Sequence, residues 1–326
     1  MQPSPLVFSA ASSVPGTYKT TPESFQVTED LGFEPSGRGE HLFFWIQKRN
    51  ISTHEVAAEL AELLNLPRRA IRYSGRKDKF AVTRQWFSAH RPGIDRPRLT
   101  AQADWEVLEV TRNTRHLKVG AHRANHFDVW VEAELDESVT NAWESIQSLG
   151  IPNYFGPQRF GFNNLARALD GQVDEMALAA ARSELFNRML ASQIRSGDWL
   201  KATPGEPCLR TDSNAWVMSV SQAQIDDGAV DPCLPLFGPT PGIEEDRMSQ
   251  WQAAFKQDAA LFEVLSRHKW GPHRRRSRVR PVQSSLEVES QGIRIRATLP
   301  TGAFMSVLLA SLFDPLVEGR HAHPDQ

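Results

Sequence analysis

The sequence predicts an α+β fold in which a sheet-containing domain is interrupted by a second, inserted domain. Three observations predict it. Strand patterns come in clusters rather than alternating one by one with helices. Near Arg167 the texture changes to long helical spacing and Pro/Gly-rich segments, and after Pro281 strand texture returns. A chain of 326 residues accommodates about two domains at roughly 100–200 residues each. The boundaries read as 1–166, 167–280 and 281–326, the first and third segments forming one domain.

Taken in order, Met1 to Gly16 is a Ser/Pro/Ala-rich lead-in. Ser24 to Glu29 alternates, with Phe25 and Val27 on one face, and predicts a strand. Pro35 to Gly39 is a turn, and His41 to Gln47 a nearly all-apolar second strand. Ser52 to Leu64 predicts a helix: Val56, Leu60, Leu63 and Leu64 form its stripe, Ser52 or Thr53 caps it, and Asn65 and Pro67 end it. Ile71 to Gly75 is a short strand entering a glycine loop. Further strands are expected at Trp105–Val110, His116–Val119 and Phe127–Val131, then a helix at Val139–Leu149. Pro152 to Phe162 is a loop rich in Gly, Pro and aromatics. Ala177 to Ile194 is helical, with Leu185, Met189 and Ile194 on one face. Pro204 to Pro241 is Pro/Gly-rich, with an acidic patch at Asp226–Asp227, and a helix is expected near Met248 to Arg267. A basic stretch, Arg267 to Arg278, precedes strands at Leu286–Val288 and Ile293–Ala297 and a helix at Phe304–Phe313.

Composition excludes several classes. With 40% apolar and 23% charged residues and a mean hydropathy of −0.42, the chain has neither a disordered nor a fibrous composition. No apolar run approaches the ~18–20 residues of a membrane span, and Leu6–Val7–Phe8 has no basic segment before it, so a signal peptide is not expected. Cys208 and Cys233 could pair, but two cysteines in so long a chain fit reduced thiols in a cytoplasm better. Without Cys-x-x-Cys or His-x-x-x-His no zinc site is predicted. The formal net charge of −2 means that any nucleic-acid surface must concentrate its positive charge locally.

Four patches carry potential chemistry. Gly75–Arg76–Lys77–Asp78–Lys79 sets one aspartate among cations after a glycine. Neighbouring cations favour an ionised carboxylate, and a loop can present it, although a solvated turn has the same look. Asn153–Tyr154–Phe155–Gly156 offers an amide that can bond a base edge and a ring that can stack on an extruded base, or simply a buried aromatic loop. Lys19 precedes a strand that begins near Phe25. Arg274, Arg275 and Arg276 lie in the basic stretch, beside Trp270, where a phosphate backbone could bind.

These patches, in this order, resemble the TruD family of tRNA pseudouridine synthases. The resemblance rests on Pro22 to Asp30, Gly39–Glu40–His41, Gly75 to Lys79, Ala81–Val82–Thr83 with Gln85–Trp86, and Asn153 to Gly156 with Gln158 to Gly161. Weaker matches lie at Ala181 to Asn187, Pro235 to Gly238 and Leu299 to Phe304. Together they span Tyr18 to Asp314, and Phe80 departs from the basic or histidine residue expected there. The resemblance implies a mixed-sheet catalytic domain with a family-specific α/β insertion, the two flanking a basic cleft for tRNA. It implies isomerisation of a uridine, first of all uridine 13 in the D-arm of tRNA(Glu), with no metal or cofactor. Asp78 takes the place of the indispensable aspartate, attacking C1′ or removing the C2′ proton. Lys19 would pair with it, Phe25 would line the pocket, Phe155 would pack on uracil and Asn153 would bond its edge. Lys77 would meet phosphate or shape the loop, and Arg274, Arg275 and Arg276 would face the RNA backbone. A cytoplasmic setting and no protein partner are expected. Two other classes remain open on the residues alone: a non-catalytic RNA-binding protein of the same fold, and a carboxylate hydrolase of nucleosides or glycosides. The hydrolase would need a second acid such as Glu29, Asp30 or Glu40.

Overall fold

The computed structural model describes residues 3–8, 12–93, 97, 99–161, 163–172, 174–202, 206–213, 215–237, 253, 255–267 and 273–319. By its contacts the chain divides into two compact units. One comprises Ser12–Trp143, Pro281–Gly302 and Leu312–Gln326; the other comprises Met1–Ala11, Glu144–Arg280 and Ala303–Ser311.

The first unit is built on a mixed sheet of ten strands among the described residues. Its main path runs Val282–Glu289, Gly292–Pro300, Ala124–Glu132, Phe25–Asp30, Val82–His90, His41–Arg49 and Trp105–Asn113. Phe25–Asp30 runs parallel to Val82–His90 and antiparallel to Ala124–Glu132, which makes the sheet mixed. Gly16–Tyr18 pairs with Leu316–Glu318 and with Ala124–Glu132. Alternation decides the faces. Phe25, Val27 and Glu29 are buried on one side, while Gln26, Thr28 and Asp30 are half-buried on the other. On the same principle Leu42, Phe44 and Ile46 pack with Val56 and Leu60 of helix Thr53–Leu63, with its C-cap Leu64, and with Phe87 and Trp105. Ser52 caps that helix in a reciprocal box with Glu55, an arrangement worth roughly 1 kcal/mol. Asn65 follows it in the left-handed region at φ 52°.

One expected strand is absent. His116–Val119 is irregular, and it ends in a turn. The Leu117 N–H bonds the Ser88 hydroxyl, the Lys118 carbonyl receives Ala121 N, and Gly120 takes φ 77°. Its alternation comes from Leu117 anchoring against Leu31 and Phe43 while Val119 points outward, which mimics a strand without a ladder.

In the second unit, helix Glu175–Ser196 is capped by Asp174 and closed by Gly197 at φ 74°. Leu185, Phe186, Met189 and Leu190 are fully buried along it. The Pro/Gly-rich region supplies three strands of a sheet ordered Trp216–Val217, Cys208–Arg210, Val230–Leu236, His273–Arg276. Pro232 and Pro235 disguise the longest of these strands. Proline keeps its carbonyl, and that of Pro232 accepts from Ser277 N at 2.8 Å. Both cysteines are free and buried in this sheet, and burial pushes the Cys233 thiol up to about 12. Where a helix is expected near Met248–Arg267, the described residues hold a 3-10 turn at Lys256–Asp258 and a helix at Ala259–Ser266; Trp270 and Gly238 lie outside the described residues. Among the described residues no helix is long and apolar enough to cross a membrane.

Candidate active site

The Asp78 loop joins strand Ile71–Tyr73 to strand Val82–His90, and each of its anchors is a hydrogen bond to a buried neighbour. Thr53, the first residue of the capped helix, accepts from Lys77 N at 2.9 Å and donates to Gln85 Oε1 at 2.8 Å. Gln85 Nε2 donates to Gly75 O at 3.0 Å. Lys48 Nζ donates to the Asp78 carbonyl at 2.6 Å. The backbone on both sides of the aspartate is thereby held, while its side chain keeps 31% of its surface exposed.

Lys19 meets that carboxylate. It follows strand Gly16–Tyr18 in the left-handed region at φ 55° and is 2% exposed. Its Nζ stands 2.6 Å from Asp78 Oδ1 and 3.1 Å from Glu318 Oε1. The same ammonium lies 4.5 Å from the centre of the Phe25 ring, a distance at which the ring quadrupole attracts a cation. Lys19, Phe25 and Asp78, separated by up to 59 residues in sequence, thus form one contact cluster.

Lys77 points the other way. Its Nζ is 2.8 Å from Glu29 Oε2, and Glu29 also accepts from Ser74 Oγ at 2.6 Å and Trp86 N at 3.1 Å. Both side chains are nearly inaccessible, so this ammonium braces the loop from within. The carboxylates considered as second acids are engaged elsewhere: Glu29 by Lys77, Asp30 by Arg123, Glu40 by His90. The carboxylate that shares Lys19 with Asp78 is Glu318, which sequence reasoning missed. Its only signal there was a strand-like Leu316–Val317–Glu318, and parallel pairing with Gly16–Tyr18 is a tertiary fact.

Two further residues of this unit escaped the sequence reading. The Phe127 ring packs edge-on against Phe25 at 6.0 Å. Asn125, two residues earlier on the same face, is 9% exposed; its Nδ2 contacts His122 Nε2 at 3.4 Å and its Oδ1 has no partner. His122, lowered by burial and by the Lys77 charge, approaches Gly75 so closely that a Cβ there would meet its Cε1 at 3.0 Å. Unsatisfied buried polar atoms are rare and call for a partner. The signal was available in the alternation of Ala124 to Val131, which puts Asn125 inside among apolar residues.

Asn153 and Phe155 stand in the second unit. Asn153 Nδ2 donates to Arg276 O at 2.9 Å, and Arg275 donates to Asn153 Oδ1 at 2.5 Å and to its carbonyl at 2.9 Å. The Arg275 guanidinium lies 4.1 Å from the centre of the Phe155 ring, whose edge meets Phe186 at 5.5 Å. Burial lowers Arg275 to about 9. Arg274 pairs with Glu206 and Arg276 with Asp231. The guanidinium groups expected at RNA phosphates thus all make internal contacts.

Comparison with known proteins agrees with this architecture. Residues 6–166 match the family model described as tRNA pseudouridine synthase D (TruD). The tRNA pseudouridine synthase D of Chromohalobacter salexigens is 35% identical over 326 residues, covering 91% of this chain and 92% of the relative. That of Pseudomonas putida is 34% identical over 328 residues, covering 94% and 93%. A TruD-assigned crystal structure from Methanosarcina mazei shares the fold at a TM-score of 0.68, with 17% identity and 96% of each chain covered. The chain belongs to the TruD family of tRNA pseudouridine synthases, and it is an isomerase.

Proposed function

We propose that the chain converts a uridine of tRNA, first uridine 13 of tRNA(Glu), to pseudouridine in the cytoplasm, with Asp78 as the catalytic carboxylate. The observation that carries this reading is the Lys19–Asp78 pair at 2.6 Å, held over the Phe25 ring at a loop whose backbone is anchored on both sides. The reaction breaks the C1′–N1 bond, turns the base and joins C1′ to C5. A carboxylate that is fixed, half-open to solvent and oriented by one ammonium can attack C1′ or take the C2′ proton. Extruding the base costs roughly a few kcal/mol, which contacts to the RNA backbone would offset, and binding should weaken with salt. The segment 167–280 would be the family's insertion.

For the uracil ring, the geometry favours Phe127, packed beside Phe25, with Asn125 Oδ1 as a free acceptor, because both share a unit with Asp78. Phe155 and Asn153, the residues the resemblance points to, already have a ring face and amide atoms engaged by Arg275 and Arg276. Phe127→Ala is expected to lower kcat/KM about 10- to 100-fold, the worth of roughly 1–3 kcal/mol of base–aromatic contact. A wild-type kcat/KM in Phe127→Ala with a large loss in Phe155→Ala would return the stacking role to Phe155.

Tritium release from tRNA(Glu) carrying tritium at uracil C5 tests the substrate. Release is expected from tRNA with uridine at position 13 and none above background when only that position is cytidine. Equal release from both would move the target elsewhere; no release from this or bulk tRNA would leave an RNA-binding protein.

A further inference from the structure

Lys48 occupies a place that the pattern of its strand reserves for an apolar residue. Leu42, Phe44 and Ile46 precede it on the same face of His41–Arg49, all fully buried, and Lys48 is buried as completely. Its Nζ donates to two main-chain carbonyls, Ile51 O at 2.8 Å and Asp78 O at 2.6 Å. Among the described residues no carboxylate forms an ion pair with it. If those carbonyls required only a donor, a neutral amide would satisfy them without desolvating a charge. Burial pushes Lys48 down to about 8; Asp78 and Glu55 act upward on it, and Lys77 and Lys19 downward.

We propose that Lys48 is a positioning residue for the isomerisation: its ammonium grips the carbonyl of Asp78 and so sets that residue's carboxylate against Lys19. The proposal rests on the reading of Asp78 as the catalytic group. The loop is then held at consecutive residues from two directions, Thr53 on Lys77 N and Lys48 on Asp78 O. Thr53 and Ile51 lie at the start of the helix and just before it, so the helix entrance and the aspartate share one polar knot. A shift of about 1 Å in a reacting group can cost about 100-fold in rate, and an ammonium binds a carbonyl more strongly than a neutral amine does.

The sign of the pH effect follows. The folded-state value of about 8 lies below the ordinary 10.5. Between them the unfolded chain holds the proton and the folded chain does not, so this group's contribution to stability grows as pH rises through that window and is absent below it. Activity runs the opposite way, because the gripping ammonium is lost as pH rises through about 8.

The test compares wild type, Lys48→Met, Lys48→Gln and Asp78→Asn by single-turnover tritium release, tRNA binding and thermal melting from about pH 6.5 to about 9.5. Lys48→Met is expected to slow release about 10- to 100-fold with tRNA affinity within about twofold. Wild type is expected to lose rate as pH rises through about 8, and Lys48→Met to show no such limb. A folded Lys48→Met with the wild-type rate, or one that is slow but keeps the limb, overturns the proposal. If Lys48→Met does not fold, Lys48→Gln replaces it, and absence of the limb in wild type alone also overturns it. An active Asp78→Asn would sink the reading of Asp78 instead; an inactive one beside a wild-type-like Lys48→Met would sink only the role of Lys48.

Discussion

Asp78→Asn is expected to yield a folded protein that binds tRNA and releases tritium at less than about one thousandth of the wild-type rate. An amide is isosteric with the carboxylate but can neither attack C1′ nor remove a proton, and loss of a group acting as base or nucleophile typically costs about 10²–10⁴-fold or more. The fold should persist because the Asp78 side chain is only half-buried and its loop is held through the backbone: the anchors come from Lys48 and Thr53, and Lys19 keeps Glu318 at 3.1 Å. Thermal melting within a few degrees of wild type, together with unchanged tRNA affinity, separates lost chemistry from lost structure. Release within about tenfold of wild type would remove Asp78 from the chemistry, and Glu318, which shares its ammonium, would become the next carboxylate to replace.

Lys77→Met is expected to destabilise the protein by about 3–5 kcal/mol, the typical cost of stripping one partner from a buried pair. Glu29 is fully inaccessible in its side chain and Lys77 nearly so, and the pair closes at 2.8 Å. Without Lys77, the Glu29 carboxylate keeps Ser74 Oγ and Trp86 N but loses its cation. At about 2–4 °C per kcal/mol for a domain of this size, the melting temperature should fall by about 6–20 °C. Lys77→Met with Glu29→Gln, which removes both charges, should recover much of the loss, and a double-mutant cycle measures the coupling. A loss below about 1 kcal/mol in Lys77→Met, or weakened tRNA binding that recovers as salt is lowered, would favour a phosphate-facing lysine over a brace inside the loop.

The sequence by itself determined the local elements and the family. Ser52, Glu55 and Asn65 define a helix through neighbours within a few residues, and alternation at Phe25, Val27 and Glu29 defines a strand. Such signals are local because capping and pleating are local. The motif around Asp78 points to the aspartate, and only the resemblance pairs Lys19 with it. Other features were written less clearly. Pro232 and Pro235 hid a strand, since proline lacks a donor but not a carbonyl. His116–Val119 displayed alternation without a ladder.

Only the tertiary structure decided which charges meet. Lys77 and Lys79 flank Asp78 in sequence, yet Lys77 turns inward to Glu29, Lys79 pairs with Glu55, and the carboxylate is met by Lys19, 59 residues away. Strand pairing brings Glu318 to the same ammonium and Phe127 to Phe25. The chain also turns Arg274, Arg275 and Arg276 onto internal partners. A charge run records how many ions a segment carries. Which of them remains available is set by desolvation and by the carboxylates and carbonyls that the fold brings within reach, and those partners come from segments far away in the sequence.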